Sequence, residues 1–162
     1  AKLDADPPAG RALVEAASEE LDRALEELRE LARGIHPAVL TERGLRAALE
    51  TLAQRSPMPV SIESVPSERL PEPVEAAAYY VAAEALTYAA RYAGAARATV
   101  SVTRQGPHTI VEVADDGRGG ADLVNGSGLR GLRDRVEALD GSLEVESPAG
   151  GGTRVRALIQ GG

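Results

Sequence analysis

The sequence has no cysteine, no phenylalanine and no tryptophan, and its only aromatic residues are four tyrosines. Without cysteine no disulfide framework can hold the chain, which fits a reducing cytosol and leaves stability to packing. Without the two bulkiest apolar rings, the core must be built from Leu, Val, Ile and Ala. Long apolar runs are missing too. The longest weakly charged stretch, Pro73 to Arg91, still carries Glu75 and Glu84, so no segment is expected to span or directly contact a bilayer. Positive charge is in deficit, 18 Lys and Arg against 25 Asp and Glu for a net −7, which argues against a general nucleic-acid binder. The opening Ala1-Lys2-Leu3-Asp4 lacks the apolar region of a signal peptide, and the chain reads as an excised piece of something longer. The 162 residues suffice for one ordinary domain and an appendage.

The appendage comes first. From about Gly10 to Ile35, Val14, Leu21, Leu28 and Ile35 recur every seven residues, with Ala17, Ala24 and Leu31 between them, a heptad seam on a long helix. A solvated helix packing on its own domain is the competing reading. Gly34 and Pro37 stop that helix, and Gly34 to Leu40 is the candidate interdomain joint. A second helix is expected over Thr41–Arg55, with Leu45, Ala48, Leu49 and Leu52 on one face, and Pro57 and Pro59 end it. Val60 and Ile62 alternate with polar residues as a short strand. A third helix opens at Pro73 and closes at Gly94. Two strands, Arg97–Arg104 and Thr109–Ala114, flank a turn at Gln105–His108; a glycine-rich stretch, Asp115 to Gly131, leads into a helix ending near Gly141. A final hairpin carries Leu143 and Val145, then Val155, Ala157 and Ile159. About five strands and three helices with antiparallel pairs imply an α+β fold, a two-layer α/β sandwich.

Two glycine clusters could carry chemistry. Asp115-Asp116-Gly117-Arg118-Gly119-Gly120 directly follows a strand, and Gly126-Ser127-Gly128-Leu129-Arg130-Gly131 directly precedes a helix. Glycine permits close backbone approach, and a helix N-terminus offers free N–H groups and partial positive charge. A carboxylate at a strand end can accept a hydrogen bond from an exocyclic amine such as that of adenine. Together they suggest a nucleotide, with its base at the first cluster and its phosphates at the second. A pair of plain surface loops is the bland alternative. The G-x-G-x-x-G spelling of the second cluster does not make a dinucleotide-binding unit, because no strand immediately precedes it and an antiparallel hairpin follows. No H-R-D or D-F-G sequence supports a protein-kinase glycine loop. On the third helix Glu84, Tyr88 and Arg91 share a face at i, i+4 and i+7; either a working carboxylate or a surface Glu–Arg pair would explain them.

In this order the pieces resemble the motif set of histidine kinase ATP-binding domains, in the superfamily of gyrase, Hsp90 and MutL-type ATPases. Glu84-Ala85-Leu86-Thr87-Tyr88 with Arg91 resembles the family's N box. Asp115-x-Gly117-x-Gly119 resembles its first glycine box, Gly126-x-Gly128-x-x-Gly131-Leu132 its second, and Gly152-Thr153 the step opening its last strand. Glu27-Leu28-Arg29-Glu30-Leu31, His36-Pro37-x-x-Leu40, Gly44-Leu45-x-x-Ala48-Leu49 and the short lid between Gly120 and Gly126 are similar to the nitrate-sensor-type subgroup.

The resemblance implies a Bergerat-type ATP-binding fold over residues 37–162, a mixed sheet of about five strands under three helices. Residues 1–36 would be the second helix of a dimerisation and phosphotransfer hairpin, and the helix carrying the phosphoacceptor histidine would lie outside this chain. The γ-phosphoryl of ATP would go to that histidine and then to a response regulator, in a cytoplasmic domain whose parent can be a membrane-anchored receptor. The parent would form a homodimer through the complete hairpin, and the half present here would dimerise weakly. The resemblance gives Asp115 the adenine; Gly117, Gly119 and Thr153 the base pocket; and Gly126, Gly128 and Gly131 the lid hinge and phosphate cradle. Arg91 would contact phosphate, and Glu84 would place metal or water. His36 lies beside Pro37 and His108 in a turn, so neither fits the acceptor, which must project from a long helix near ATP.

One position departs from the family pattern. Tyr88 stands where the family has an asparagine that binds Mg²⁺, and a neutral phenol is a poor and bulky substitute for a hard oxygen ligand. A natural variant, a degenerate module that binds but does not catalyse, and an engineered change are all compatible with the sequence. An anti-sigma-factor serine kinase would share the fold but not the heptad helix.

Overall fold

The computed structural model describes residues 37–120 and 127–161, with the side chains of 127–130 excepted. The heptad helix, the weak dimerisation expected of it and the lid between Gly120 and Gly126 lie outside those residues. Three helices cover one face of a five-stranded sheet in the order β1-β2-β3-β5-β4. Helix α1 is Ala38–Arg55, β1 Val60–Ser64, α2 Glu72–Tyr88, β2 Ala98–Gln105, β3 His108–Asp115, α3 Ser127–Glu137, β4 Ser142–Glu146 and β5 Thr153–Gln160. The pair β1–β2 is parallel, crossed over through α2, and every other pair is antiparallel. The expected mixed α/β sandwich is the fold observed.

Strand alternation builds the core. Ala98, Val100 and Val102 of β2, Thr109, Val111 and Val113 of β3, and Val155, Ala157 and Ile159 of β5 all face inward and are buried. They meet Leu45, Ala48 and Leu49 of α1 and an alanine-rich face of α2 that includes Ala77, Ala78, Ala82 and Ala85. Small residues let α2 lie close to the sheet, and the buried core is mainly aliphatic, with Tyr79 and Tyr80 packed against it. The opposite face of the sheet is polar: Arg154 lies 3.6 Å from Glu112 and 3.8 Å from Glu146, and Arg156 lies 3.8 Å from Glu144. Such exposed pairs contribute about 0–1 kcal/mol each, so this face keeps the sheet soluble more than it holds it together.

Helix α1 starts at Ala38, earlier than the Thr41 expected, because Pro37 sets the chain for a helical turn and its carbonyl accepts Leu40 N–H at 2.8 Å. It also bends at Gly44 (φ 82°, ψ 178°). Arg69 lies against that bend. Its guanidinium makes a two-pronged pair with Glu75, at 2.8 to 3.1 Å, and reaches the Leu40 and Thr41 carbonyls at 3.4 Å. Glu75 is buried and also accepts Leu70 N–H at 3.1 Å, so the first turn of α2 is locked to the kink of α1. That pairing holds the Arg69 guanidinium above its ordinary range. Helix α3 ends at Glu137, four residues short of Gly141. It packs on α2 through Leu132 and Val136, and the Arg135 guanidinium lies 4.2 Å above the Tyr80 ring. The β2–β3 turn is the two residues Gly106 and Pro107, so His108 is the first residue of β3, paired with Gln160.

Candidate nucleotide site

Strand β3 delivers Asp115 to the sheet's end, in register with Thr153 of β5 and Ala98 of β2. The Asp115 carboxylate is half-buried. Its Oδ1 accepts Gly117 N–H at 2.8 Å, while Oδ2 has no hydrogen-bond partner among the described residues. One oxygen therefore shapes the loop and the other is left to accept. Beside it Thr153 is buried, and its hydroxyl lies 2.9 Å from that of Ser147.

The loop after Asp115 is knotted to two neighbours. Arg118 N–H donates to the Ala93 carbonyl at 2.9 Å, at the end of the α2 segment. Gly120 N–H donates to Ser147 O at 3.0 Å and Gly150 N–H to Arg118 O at 2.6 Å, which ties the loop to the β4–β5 turn. The first glycine box is thus a fixed wall. Gly117 is required by space: a Cβ there would stand 2.6 Å from both the Cβ and the carbonyl oxygen of Ala93, and 2.8 Å from Asp115 Oδ1. Gly119 is required by conformation as well, since its φ is +63° and a Cβ would strike the Pro148 carbonyl.

Asp116 looked like a spacer within the motif, yet it has work of its own. Its Oδ1 accepts Ala96 N–H at 2.8 Å and Arg97 N–H at 3.0 Å, and its Oδ2 pairs with Arg97 Nε at 3.2 Å. The Arg97 amide hydrogen bond, helped by that of Ala96 and the Arg97 charge, holds the Asp116 carboxyl below the usual carboxylate range. The folded carboxyl stays ionised to lower pH than in the unfolded chain. Its stabilising contribution is therefore complete above the ordinary value of about 3.9 and disappears as pH falls through the lowered one. Thermal melts should show the natural chain losing its advantage over Asp116→Asn between about pH 4 and the acid limit. A gap between the two that is constant with pH would contradict this.

Of the N-box residues, Glu84 and Tyr88 lie on the last turns of α2 and Arg91 lies just beyond it. Glu84 is half-buried and is engaged with a neighbour; Tyr88 is half-buried, and its ring packs at a tilt against Tyr92 with centroids 5.4 Å apart at 42°. After Tyr88 the helix widens into a π-helical turn, Ala89–Ala93, before Gly94 closes it in the left-handed conformation. A wider turn advances each residue by a smaller angle than the α-helix. The shared face of Glu84, Tyr88 and Arg91 expected from ideal spacing is therefore broken at Arg91, which is exposed. Tyr92, half-exposed at 52%, precedes the Ala93 that abuts Gly117, and sequence reasoning passed over it. A tyrosine next to a glycine-box contact is a signal only when the fold has brought the two together.

The second glycine box differs from expectation. Helix α3 begins at Ser127, so Gly128 and Gly131 belong to its first turns rather than to a preceding loop. Gly126 lies outside the described residues. Asp115, Gly117, Gly119 and Thr153 are thus brought together with the π-helical turn that follows α2, in which Arg91 lies, while Glu84 and Tyr88 stand one to two turns further back.

Residues 74–161 match the family described as histidine kinase-, DNA gyrase B- and HSP90-like ATPase, and the chain belongs to that family. Within it the chain is of histidine kinase type, with sensor histidine kinases as relatives. It is 32% identical over 146 residues to sensor histidine kinase MctS of Rhizobium johnstonii, covering 83% of this chain and 32% of that one. It is 29% identical over 117 residues to sensor histidine kinase YxjM of Bacillus subtilis, covering 71% and 29%. The chain spans about a third of the length of these relatives. Among solved structures, the histidine kinase AdeS of Acinetobacter baumannii shares the fold with a TM-score of 0.61 at 16% identity, covering 96% of this chain and 85% of that one.

Proposed function

We propose that this chain is the adenine-nucleotide-binding domain of a two-component sensor histidine kinase. The observation that carries the reading is the half-buried Asp115 at the end of β3, with one oxygen spent on Gly117 N–H and the other open beside buried Thr153. Asp115 accepts the exocyclic amine of adenine, and the rigid Gly117–Gly119 wall and the Tyr92 ring bound the base. Phosphates run toward the N-terminal turn of α3, whose free N–H groups and positive dipole suit anions, with Gly126, Gly128 and Gly131 letting the backbone approach and Arg91 adding charge. Glu84 orients the reacting end. In the parent protein the γ-phosphoryl goes to a histidine on a helix outside this chain and then to a response regulator, with residues 1–36 as half of the dimerising hairpin. The nitrate-sensor subgroup is part of the same proposal, as is a cytoplasmic location. Among the described residues no helix is long and apolar enough to cross a membrane.

A second reading, a module that binds nucleotide without transferring phosphate, is favoured by one observation: Tyr88 occupies the position of the family's metal-binding asparagine, and its ring packs at a tilt against Tyr92. Calorimetric titration with adenine nucleotides tests the shared core of both readings. One-to-one saturable ADP binding is expected, and absence of binding would contradict both.

A further inference from the structure

We infer that this domain holds its adenine nucleotide without a divalent metal ion. The inference rests on the adenine-nucleotide reading and, of the two readings above, favours the module that binds nucleotide without transferring phosphate. Phosphoryl transfer from ATP runs with Mg²⁺ bridging the phosphate oxygens, and Mg²⁺ takes one or two protein carboxylates in a tight octahedral shell at about 2.0–2.1 Å. The residues of this chain do not fit that ion. On the segment from Glu84 to Arg91 the one carboxylate is Glu84. The Thr87 hydroxyl donates to the Ala83 carbonyl at 2.8 Å. Tyr88 offers a neutral phenol, and its ring is fixed against Tyr92, with centroids 5.4 Å apart.

The space that a hard-oxygen donor would need is instead bounded by an aromatic pair. Tyr88 and Tyr92 account for half of the chain's aromatic residues, and all four tyrosines lie between positions 79 and 92. Behind the pair, Ala89 and Ala93 are buried, and Ala93 abuts Gly117 of the base pocket. The tilted rings, 42° apart, belong to the segment whose Ala93 meets Gly117. A nucleotide held there gains its affinity from the base and from ring contact, not from metal-bridged phosphates. ADP and ATP should consequently bind with similar affinity.

The test is calorimetric titration of ADP and ATP into the natural chain, with Mg²⁺ in excess and with a chelator. Both nucleotides should bind equally well in the two conditions, and Tyr88→Asn should acquire a Mg²⁺ dependence of about tenfold or more, the scale on which metal-site partners act. Water-proton relaxation with Mn²⁺–ADP supplies a direct metal readout that needs no variant, and adding the natural chain should produce no enhancement. Tenfold tightening by Mg²⁺ in the natural chain, or a Mn²⁺ enhancement, overturns the inference and leaves the adenine reading intact. A Tyr88→Asn form that binds nucleotide with no gain in Mg²⁺ dependence overturns the assignment of that independence to Tyr88. Failure of either nucleotide to bind in any condition overturns the adenine reading itself, and this inference with it.

Discussion

Replacing Asp115 with alanine is expected to weaken ADP binding roughly ten- to a hundredfold while leaving the fold in place. The exocyclic amine of adenine loses its acceptor, and an unpaired buried donor costs about 1–3 kcal/mol. Asp115 Oδ1 also holds the Gly117 N–H, so the loop loosens at the point where the base would sit. Asn at this position separates the two effects, since its carbonyl can still accept one bond. With its amide oxygen on Gly117 N–H, Asp115→Asn keeps the loop held but turns an amide donor toward the adenine amine, so it should lose ADP affinity at least as far as alanine while the loop stays in place. Calorimetry on the three forms measures this directly, with circular dichroism confirming equal folding. Unchanged ADP affinity in the alanine form would remove Asp115 from the site.

The second large effect is steric. Gly117→Ala puts a methyl group 2.6 Å from the Ala93 Cβ and carbonyl oxygen and 2.8 Å from Asp115 Oδ1, none of which can yield without moving backbone or the base-binding carboxylate. Overpacking of this kind costs about 1–3 kcal/mol, and the displaced loop should also lower ADP affinity, at least as much as Asp115→Ala does. Gly161 gives the contrast. A Cβ there meets nothing closer than 3.6 Å, so Gly161→Ala should leave both denaturation midpoint and ADP affinity close to those of the natural chain. Urea denaturation of the pair checks the stability half. Equal midpoints for Gly117→Ala and Gly161→Ala would show that the loop is not locked against α2.

Much of this architecture could be read before folding because its signals are local. Val100 and Val102, Val111 and Val113, and Val155 and Ala157 alternate with polar neighbours, and a period of two allows one inward face. Pro71 and Pro73 at one end of α2 and Gly94 at the other bracket a helix by chain geometry alone. What escaped depends on residues that meet only in three dimensions. Arg69 and Glu75 look like two more solvated charges in a strongly charged chain, yet Glu75 is buried and the pair fastens α2 to the Gly44 kink. Asp116 reads as a variable letter between Asp115 and Gly117 until Ala96 and Arg97 are seen donating to it. The π-helical turn after Tyr88 leaves no mark in an alanine-rich run, and it undoes the ideal spacing that grouped Arg91 with Glu84. Gly128 and Gly131 misled in the opposite direction, since glycine in a helix is disfavoured by about 1 kcal/mol and suggested a loop where α3 already runs.

The reading of the whole domain stands on the base pocket, and base selectivity tests it most directly. At the position where adenine presents an amine donor, guanine presents a carbonyl acceptor, which would face the Asp115 carboxylate as one acceptor against another. Titrating the natural chain with ADP and then GDP, by calorimetry under one buffer condition, should show saturable one-to-one binding of ADP and at least roughly tenfold weaker binding of GDP, the effect of about 1.4 kcal/mol. Equal affinity for the two, or a preference for GDP, would contradict an adenine site at Asp115.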